Sequence, residues 1–120
     1  MKHLFHGTNQ TDPKLIYSCE DGLDIRFSNA GAYGNGIYFA NNATYSHSFT
    51  HRKQGGECQM FLGLVLVGDS VQAQPGQYRI PPNKPGSLTE RYDSINNGNA
   101  GHFIIYDNAK AYPGYLITYQ

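Results

Sequence analysis

The residues able to do chemistry fall in four places. His6 and Thr8 flank Gly7 directly after Leu4-Phe5. Tyr38 sits in Gly36-Ile37-Tyr38-Phe39-Ala40. Ser46 and Phe49 are three apart, a spacing that puts both on one face of a helix. His102 opens the run Phe103-Ile104-Ile105-Tyr106. Taken singly, each has an ordinary explanation. His6 is a polar residue at a strand end, Gly7 a strand-end turn, Tyr38 a core aromatic, Ser46 a solvated helical serine and His102 an imidazole turned to water. Three familiar chemistries are excluded. His47 and His51 are four apart and Cys58 follows, but no Cys-x-x-Cys accompanies them, so no metal site is expected. Ala32-Tyr33-Gly34-Asn35-Gly36 is not followed by the Lys-Ser/Thr of a phosphate loop. Ser46 lies in no Gly-x-Ser-x-Gly elbow, so a hydrolase triad is not expected.

The elements that must position these residues are short. Leu4-Phe5-His6-Gly7 reads as a strand ending at glycine. Asp12 and Pro13 are an N-cap and first residue, with Leu15, Ile16 and Cys19 at helical spacing and Gly22 as the stop. Residues 28–36 form a glycine-rich loop, 36–40 a strand and 42–49 a helix of about two turns. Residues 51–57 are a polar loop and 58–67 the most strand-like segment. Four prolines make 74–88 extended and irregular. A Gly/Asn turn over 96–101 precedes a strand at 103–106, and a Pro113-Gly114 turn precedes a last strand at 115–119. Five strands and two short helices in mixed order predict an α+β fold with antiparallel sheets.

Composition narrows the partners. The chain has 120 residues, enough for one domain over 1–120 and too few for two. Nine basic and nine acidic residues give zero formal charge, so no overall field draws it to nucleic acid or a membrane surface. Ten tyrosines and six phenylalanines, against only 15% charged residues, point to recognition by aromatic faces. No apolar run reaches membrane-spanning length, and the first five residues lack the apolar core of a leader. Two cysteines do not make a disulfide scaffold, so an intracellular setting is expected, with a processed secreted toxin as the other choice. A monomer is expected.

Four segments, in order, resemble the catalytic domain of the poly(ADP-ribose) polymerase family. They are Leu4-Phe5-His6-Gly7-Thr8; Ala32-Tyr33-Gly34-Asn35-Gly36-Ile37-Tyr38-Phe39-Ala40 continuing through Tyr45-Ser46-His47-Ser48-Phe49; Gln59-Met60-Phe61 through Leu66-Val67-Gly68; and Phe103-Ile104-Ile105-Tyr106-Asp107 through Pro113-Gly114-Tyr115-Leu116-Ile117-Thr118-Tyr119. The resemblance covers nearly the whole chain and implies the ADP-ribosyltransferase fold, two packed, mainly antiparallel sheets with short helices around a cleft for NAD⁺. NAD⁺ is then a co-substrate and no metal is required. The reaction breaks the nicotinamide–ribose bond through an oxocarbenium-like transition state, as in glycoside hydrolysis. The protein must clamp a flat amide, hold two riboses and leave one ribose face open.

The resemblance also implies roles. His6 and Tyr38 match the first two members of the family's His-Tyr-Glu triad, His6 on the adenosine ribose and Tyr38 against nicotinamide. Gly7 presents its backbone to the amide, Thr8 lies near the adenosine ribose and Ser46 bonds the nicotinamide carbonyl. Phe49 is the second stacking face, with Tyr45 as the alternative register. Arg26, with Asp24 in the loop resembling the donor loop, is a candidate for the pyrophosphate. His102 stands where polymer-making members have glutamate. A neutral imidazole can accept one hydrogen bond, whereas an imidazolium would repel the developing cation. Tyr92-Asp93-Ser94 and the lack of long insertions resemble the mono-ADP-ribosylating members. The expectation is therefore an enzyme, a mono-ADP-ribosyltransferase releasing nicotinamide, with a protein acceptor and a nucleic-acid end as second choice. The alternatives are an inactive module binding NAD⁺ or ADP-ribose, and an NAD⁺ glycohydrolase. A 2′-phosphotransferase on the related fold would need a more basic site.

Overall fold

A computed structural model describes residues 2–8, 11–18, 23, 31–47, 49–98 and 101–120. Its elements, in order, are β1 (Lys2–His6), α1 (Pro13–Tyr17), β2 (Ile37–Ala40), α2 (Ala43–His47), β3 (His51–Arg52), β4 (Cys58–Val65), β5 (Ser70–Gln72), β6 (Ser94–Asn96), β7 (His102–Ile105), a 3₁₀ turn (Asn108–Lys110) and β8 (Ala111–Tyr119). The α+β class is as expected. The helix at Pro13 starts as its sequence dictates: the Asp12 side chain accepts from the Lys14 amide at 3.0 Å, and proline occupies the first turn.

The strands run β3-β4-β1-β2-β7-β6-β5, with β8 paired to β4. Every pairing is antiparallel except β5 with β6. The resemblance implies two packed sheets; here the strands share one hydrogen-bonded network because β2 pairs with β1 on one edge and β7 on the other. The β1–β2 junction is narrow, with Phe5 opposite Ala40, whereas β2 and β7 are in register along all of Ile37–Ala40.

Three strands escape the sequence pattern. β3, β5 and β6 are two or three residues long and largely polar, so their strand state comes from the strands they pair with, β4 beside β3, β7 beside β6 and β6 beside β5. The last strand begins at Ala111 and runs through Pro113-Gly114 instead of turning there. Leu62 pairs with Tyr115 and Leu64 with Tyr112, which leaves two β8 residues opposite Gly63 alone. That bulge accommodates a proline with no amide to donate.

Register sorts the side chains. Leu4, Phe39, Phe61, Val65, Phe103 and Ile105 form the buried core on one face, covered by Ile16 of α1 and by Leu23. Tyr38 and Ile104, Ala40 and His102, and Phe5 belong to the opposite face, because directly paired residues share a side. Ile95 and Ile104 are fully buried there, so both faces of the β6–β7 region are covered.

Candidate functional site

The best-defined corner is where β1 ends. A Cβ built on Gly7 would lie 2.4 Å from the Phe49 carbonyl oxygen, 2.5 Å from its carbon and 2.7 Å from the Ser46 carbonyl oxygen. These are backbone atoms and cannot swing aside. The glycine is therefore required by protein packing before any ligand arrives, a reason the sequence does not reveal. The turn it faces is closed by the Phe49 amide donating to Ser46 at 3.0 Å and the Thr50 amide to His47 at 3.2 Å. Gly7, Ser46 and Phe49 are thus brought together. Ser46 is buried, whereas Phe49 is 42% exposed. Phe49 lies just past α2, so the expected i, i+3 relation to Ser46 is realised by a turn.

His6 belongs to the core face, and its ring packs 5.2 Å from the Phe39 ring centroid. Its Nδ1 lies 2.7 Å from the Tyr38 carbonyl. A carbonyl only accepts, so Nδ1 carries the proton and neutral His6 has its acceptor at Nε2. Burial lowers its pKa, opposed by the bond to that carbonyl. His6 is therefore held neutral, in the tautomer able to accept from a ribose hydroxyl. Thr8 is buried, and its hydroxyl donates to Thr11 at 2.6 Å, which commits that proton to the turn leading into α1.

Tyr38 reaches the other face. Its hydroxyl donates to the Gly34 carbonyl at 2.7 Å and accepts from the Tyr33 amide at 2.9 Å. A Cβ on Gly31 would lie 2.8 Å from the end of its ring. Tyr38 thus carries the 31–34 turn, in which Gly31 and Gly34 exchange backbone bonds and Gly34 takes φ +85°. Gly34 is doubly constrained, because a Cβ would sit 2.1 Å from the Tyr78 carbonyl oxygen. Tyr106 donates to the Tyr33 carbonyl from beneath. Burial raises the Tyr106 pKa, and the neighbouring tyrosines add to the shift, so it stays a neutral donor. Tyr33, Tyr78 and Tyr106 are supporting residues the sequence analysis missed; aromatic abundance was their only signal.

His102 starts β7 opposite Ala40, a diagonal neighbour of Tyr38 on the same face. Asn97 holds it. The His102 amide donates to Asn97 Oδ1 at 3.1 Å, which fixes the orientation of the carboxamide. Asn97 Nδ2 then faces His102 Nδ1 at 3.0 Å, and the Asn97 amide donates to the His102 carbonyl at 3.3 Å. An amide nitrogen donates, so Nδ1 is the acceptor and neutral His102 carries its proton on Nε2. The two histidines are opposite tautomers. The reading of His102 as a hydrogen-bond acceptor meets an obstacle here, because its accepting nitrogen is already engaged. Burial lowers its pKa. Asn97 was missed within the Gly/Asn-rich 96–101 turn, where asparagine is expected for its backbone habit alone.

His6, Tyr38 and His102 thus meet at β2 without forming one cluster. Tyr38 and His102 share a face, and His6 joins them through the Tyr38 carbonyl. Arg26 and Asp24 lie outside the described residues. Among the described residues, no group of three or more His, Cys, Asp or Glu could hold a metal, and no helix is long and apolar enough to cross a membrane. A cleft of about 490 Å³, whose lining includes Ile80, Arg91, Tyr92, Tyr106 and Lys110, contains none of the predicted site residues.

This geometry joins the comparisons with known proteins. The model of the family described as "Poly(ADP-ribose) polymerase catalytic domain" matches residues 1–91. The chain belongs to that family. It is 44% identical over 119 residues to the Dictyostelium discoideum protein named "Probable poly [ADP-ribose] polymerase", covering 98% of this chain and 33% of that one. It is 35% identical over 122 residues to human protein mono-ADP-ribosyltransferase PARP12, covering 98% of this chain and 17% of the relative. It is 32% identical over 140 residues to human protein mono-ADP-ribosyltransferase PARP11, with 98% and 40% covered. The chain therefore spans about a third of the Dictyostelium relative and less of PARP12.

Proposed function

We propose that this chain is an NAD⁺-dependent mono-ADP-ribosyltransferase acting on a protein, with a nucleic-acid end as second choice of acceptor. Family membership supports the reaction class, and the names of PARP12 and PARP11 support mono-transfer. The observation that carries the reading is the pair of oppositely locked histidines. His6 keeps a neutral acceptor for a ribose hydroxyl, and the position of the elongating glutamate holds a donor instead.

In the proposed reaction the C1′–N bond of NAD⁺ breaks and nicotinamide leaves with the electron pair. A heteroatom of the acceptor bonds C1′ and loses its proton to solvent. Gly7, Ser46 and Phe49 bind nicotinamide, Tyr38 closes its other side, and His6 with Thr8 hold the adenosine ribose. Arg26 is the candidate contact for the pyrophosphate. His102 can donate to the nicotinamide ribose but supplies no negative charge, which opposes chain elongation. An intracellular site of action belongs to the same proposal; Cys58 is a buried free thiol.

One observation favours a second reading, an inactive NAD⁺-binding module: Asn97 engages the acceptor nitrogen that could have replaced the glutamate. Incubation with NAD⁺ labelled in the adenosine half separates the readings. Label on protein supports transfer, free labelled ADP-ribose supports hydrolysis, and unchanged NAD⁺ despite measurable binding supports the module.

A further inference from the structure

A second polar system lies under the turn that faces Gly7. The Thr50 hydroxyl donates to the Gln59 carbonyl at 2.8 Å, which uses its one proton. It therefore accepts from the Tyr119 hydroxyl, 3.0 Å away. Tyr119 in turn has no proton left for His47, whose Nδ1 lies 2.6 Å from the same oxygen. His47 must donate, so its proton sits on Nδ1. The chain runs in one direction, from His47 at the end of α2, through Tyr119 of β8 and Thr50, to the backbone of β4. Gln59 adds a link from its Nε2 to Thr118 Oγ1 at 3.1 Å, and the His47 and Tyr119 rings pack at 5.6 Å.

α2 is only five residues long, so its own hydrogen bonds fix its place weakly. Ser46 and Phe49 flank His47 on that segment. Their carbonyls approach Gly7 so closely that a shift of the turn would change the floor of the nicotinamide pocket. The anchor crosses 72 positions of sequence and reaches a strand that carries none of the predicted site residues.

We propose that Tyr119 and His47 are positioning residues of the nicotinamide site, holding the Ser46–Phe49 turn in register against Gly7. The inference rests on the NAD⁺-binding reading above. Neither residue touches the ligand; both act through the turn.

The test is calorimetric titration of the whole chain with 3-aminobenzamide as the nicotinamide mimic. Wild type should bind, and Tyr119→Phe, which keeps the ring, should bind about five- to tenfold more weakly, the effect of one neutral hydrogen bond. His47→Leu, at an exposed position, should show the same loss and tests the anchor even if Tyr119→Phe folds poorly. The double variant should be no weaker than either single one, because both break one link. His47→Asn places an amide donor near Nδ1 and should restore most of the affinity. Long-range nitrogen NMR should find the His47 proton on Nδ1 in wild type and on Nε2 in Tyr119→Phe. Wild-type affinity in a folded Tyr119→Phe or His47→Leu would overturn the proposal. A wild type that binds neither the mimic nor NAD⁺ would overturn the NAD⁺-binding reading itself.

Discussion

The two ends of the proposed site are built differently. At the β1 end, Gly7 is pressed against the carbonyls of Ser46 and Phe49, and His6 is bonded to the backbone of β2. At the β7 end, the Asn97 side chain, from a Gly/Asn-rich turn, bonds both the amide and the ring of His102. The first corner is fixed by main chain against main chain and tolerates little change. The second is paired in the sheet as well, but its ring is oriented by a side chain that one substitution can change. In the proposed reaction, donor binding is thus tied to the stability of the fold, whereas the fate of the ribosyl cation depends on a replaceable part.

The sharpest way to break this contrast is Gly7→Ala. The added methyl meets backbone at 2.4–2.7 Å, so β1 and the turn after α2 must separate. Overpacking of this kind costs about 1–3 kcal/mol, sometimes more. Urea unfolding should show a lower midpoint, and 3-aminobenzamide binding should be lost. An unchanged midpoint would show that the corner yields easily and that the two ends do not differ.

Acid should act on both ends through the histidines. His6 and His102 have pKa values lowered below 6.5 by burial. Below that value the unfolded chain binds more protons than the folded one, so stability rises with pH. Their contribution is complete above pH 6.5 and declines as the pH falls towards and through the folded-state values. His6→Gln should flatten that acid-side decline below pH 6.5 in thermal melts. A slope equal to wild type would mean that His6 titrates in the fold as it does in water.

Asn97→Asp should reset the weaker corner with less effect on stability. A carboxylate beside Nδ1 requires a proton there, so the imidazole should flip to the Nδ1–H tautomer, with its acceptor at Nε2. Nitrogen NMR should report that flip, and nicotinamide release at pH 7.5 should rise. A His102 that keeps its proton on Nε2 would show that Asn97 does not set the tautomer. The smallest change is Phe49→Tyr. The residue is 42% exposed, so ligand affinity should stay within about 0.5 kcal/mol of wild type.

The same division explains what the sequence made legible. The cap at Asp12-Pro13, the apolar run of β4 and the His6-Gly7 strand end are local patterns with local causes, and all three appear where expected. Strands of two or three polar residues have no local cause; Ser70–Gln72 exists because Ser94–Asn96 lies beside it. The passage of β8 through Pro113 depends on a bulge opposite Gly63, which a reading of β8 alone lacks. Gly7 has a second reason to be glycine that the sequence does not carry, since backbone of the same chain occupies its Cβ position. Asn97 and Tyr119 matter through bonds whose partners could not be located before the fold was known. Family resemblance supplied the names of His6, Tyr38 and His102 but not their tautomers or faces.

In the proposed enzyme an intact donor half is joined to an acceptor half unable to elongate. The most direct test is nicotinamide release and product length, measured by mass spectrometry of the modified protein, for wild type and His102→Glu. Wild type should release nicotinamide slowly and add single ADP-ribose units, and His102→Glu should release it faster and make short chains, because the carboxylate restores negative charge beside the oxocarbenium and an acceptor for the ribose hydroxyl. Long chains made by wild type, or a folded and NAD⁺-binding His102→Glu no faster than wild type, would contradict it.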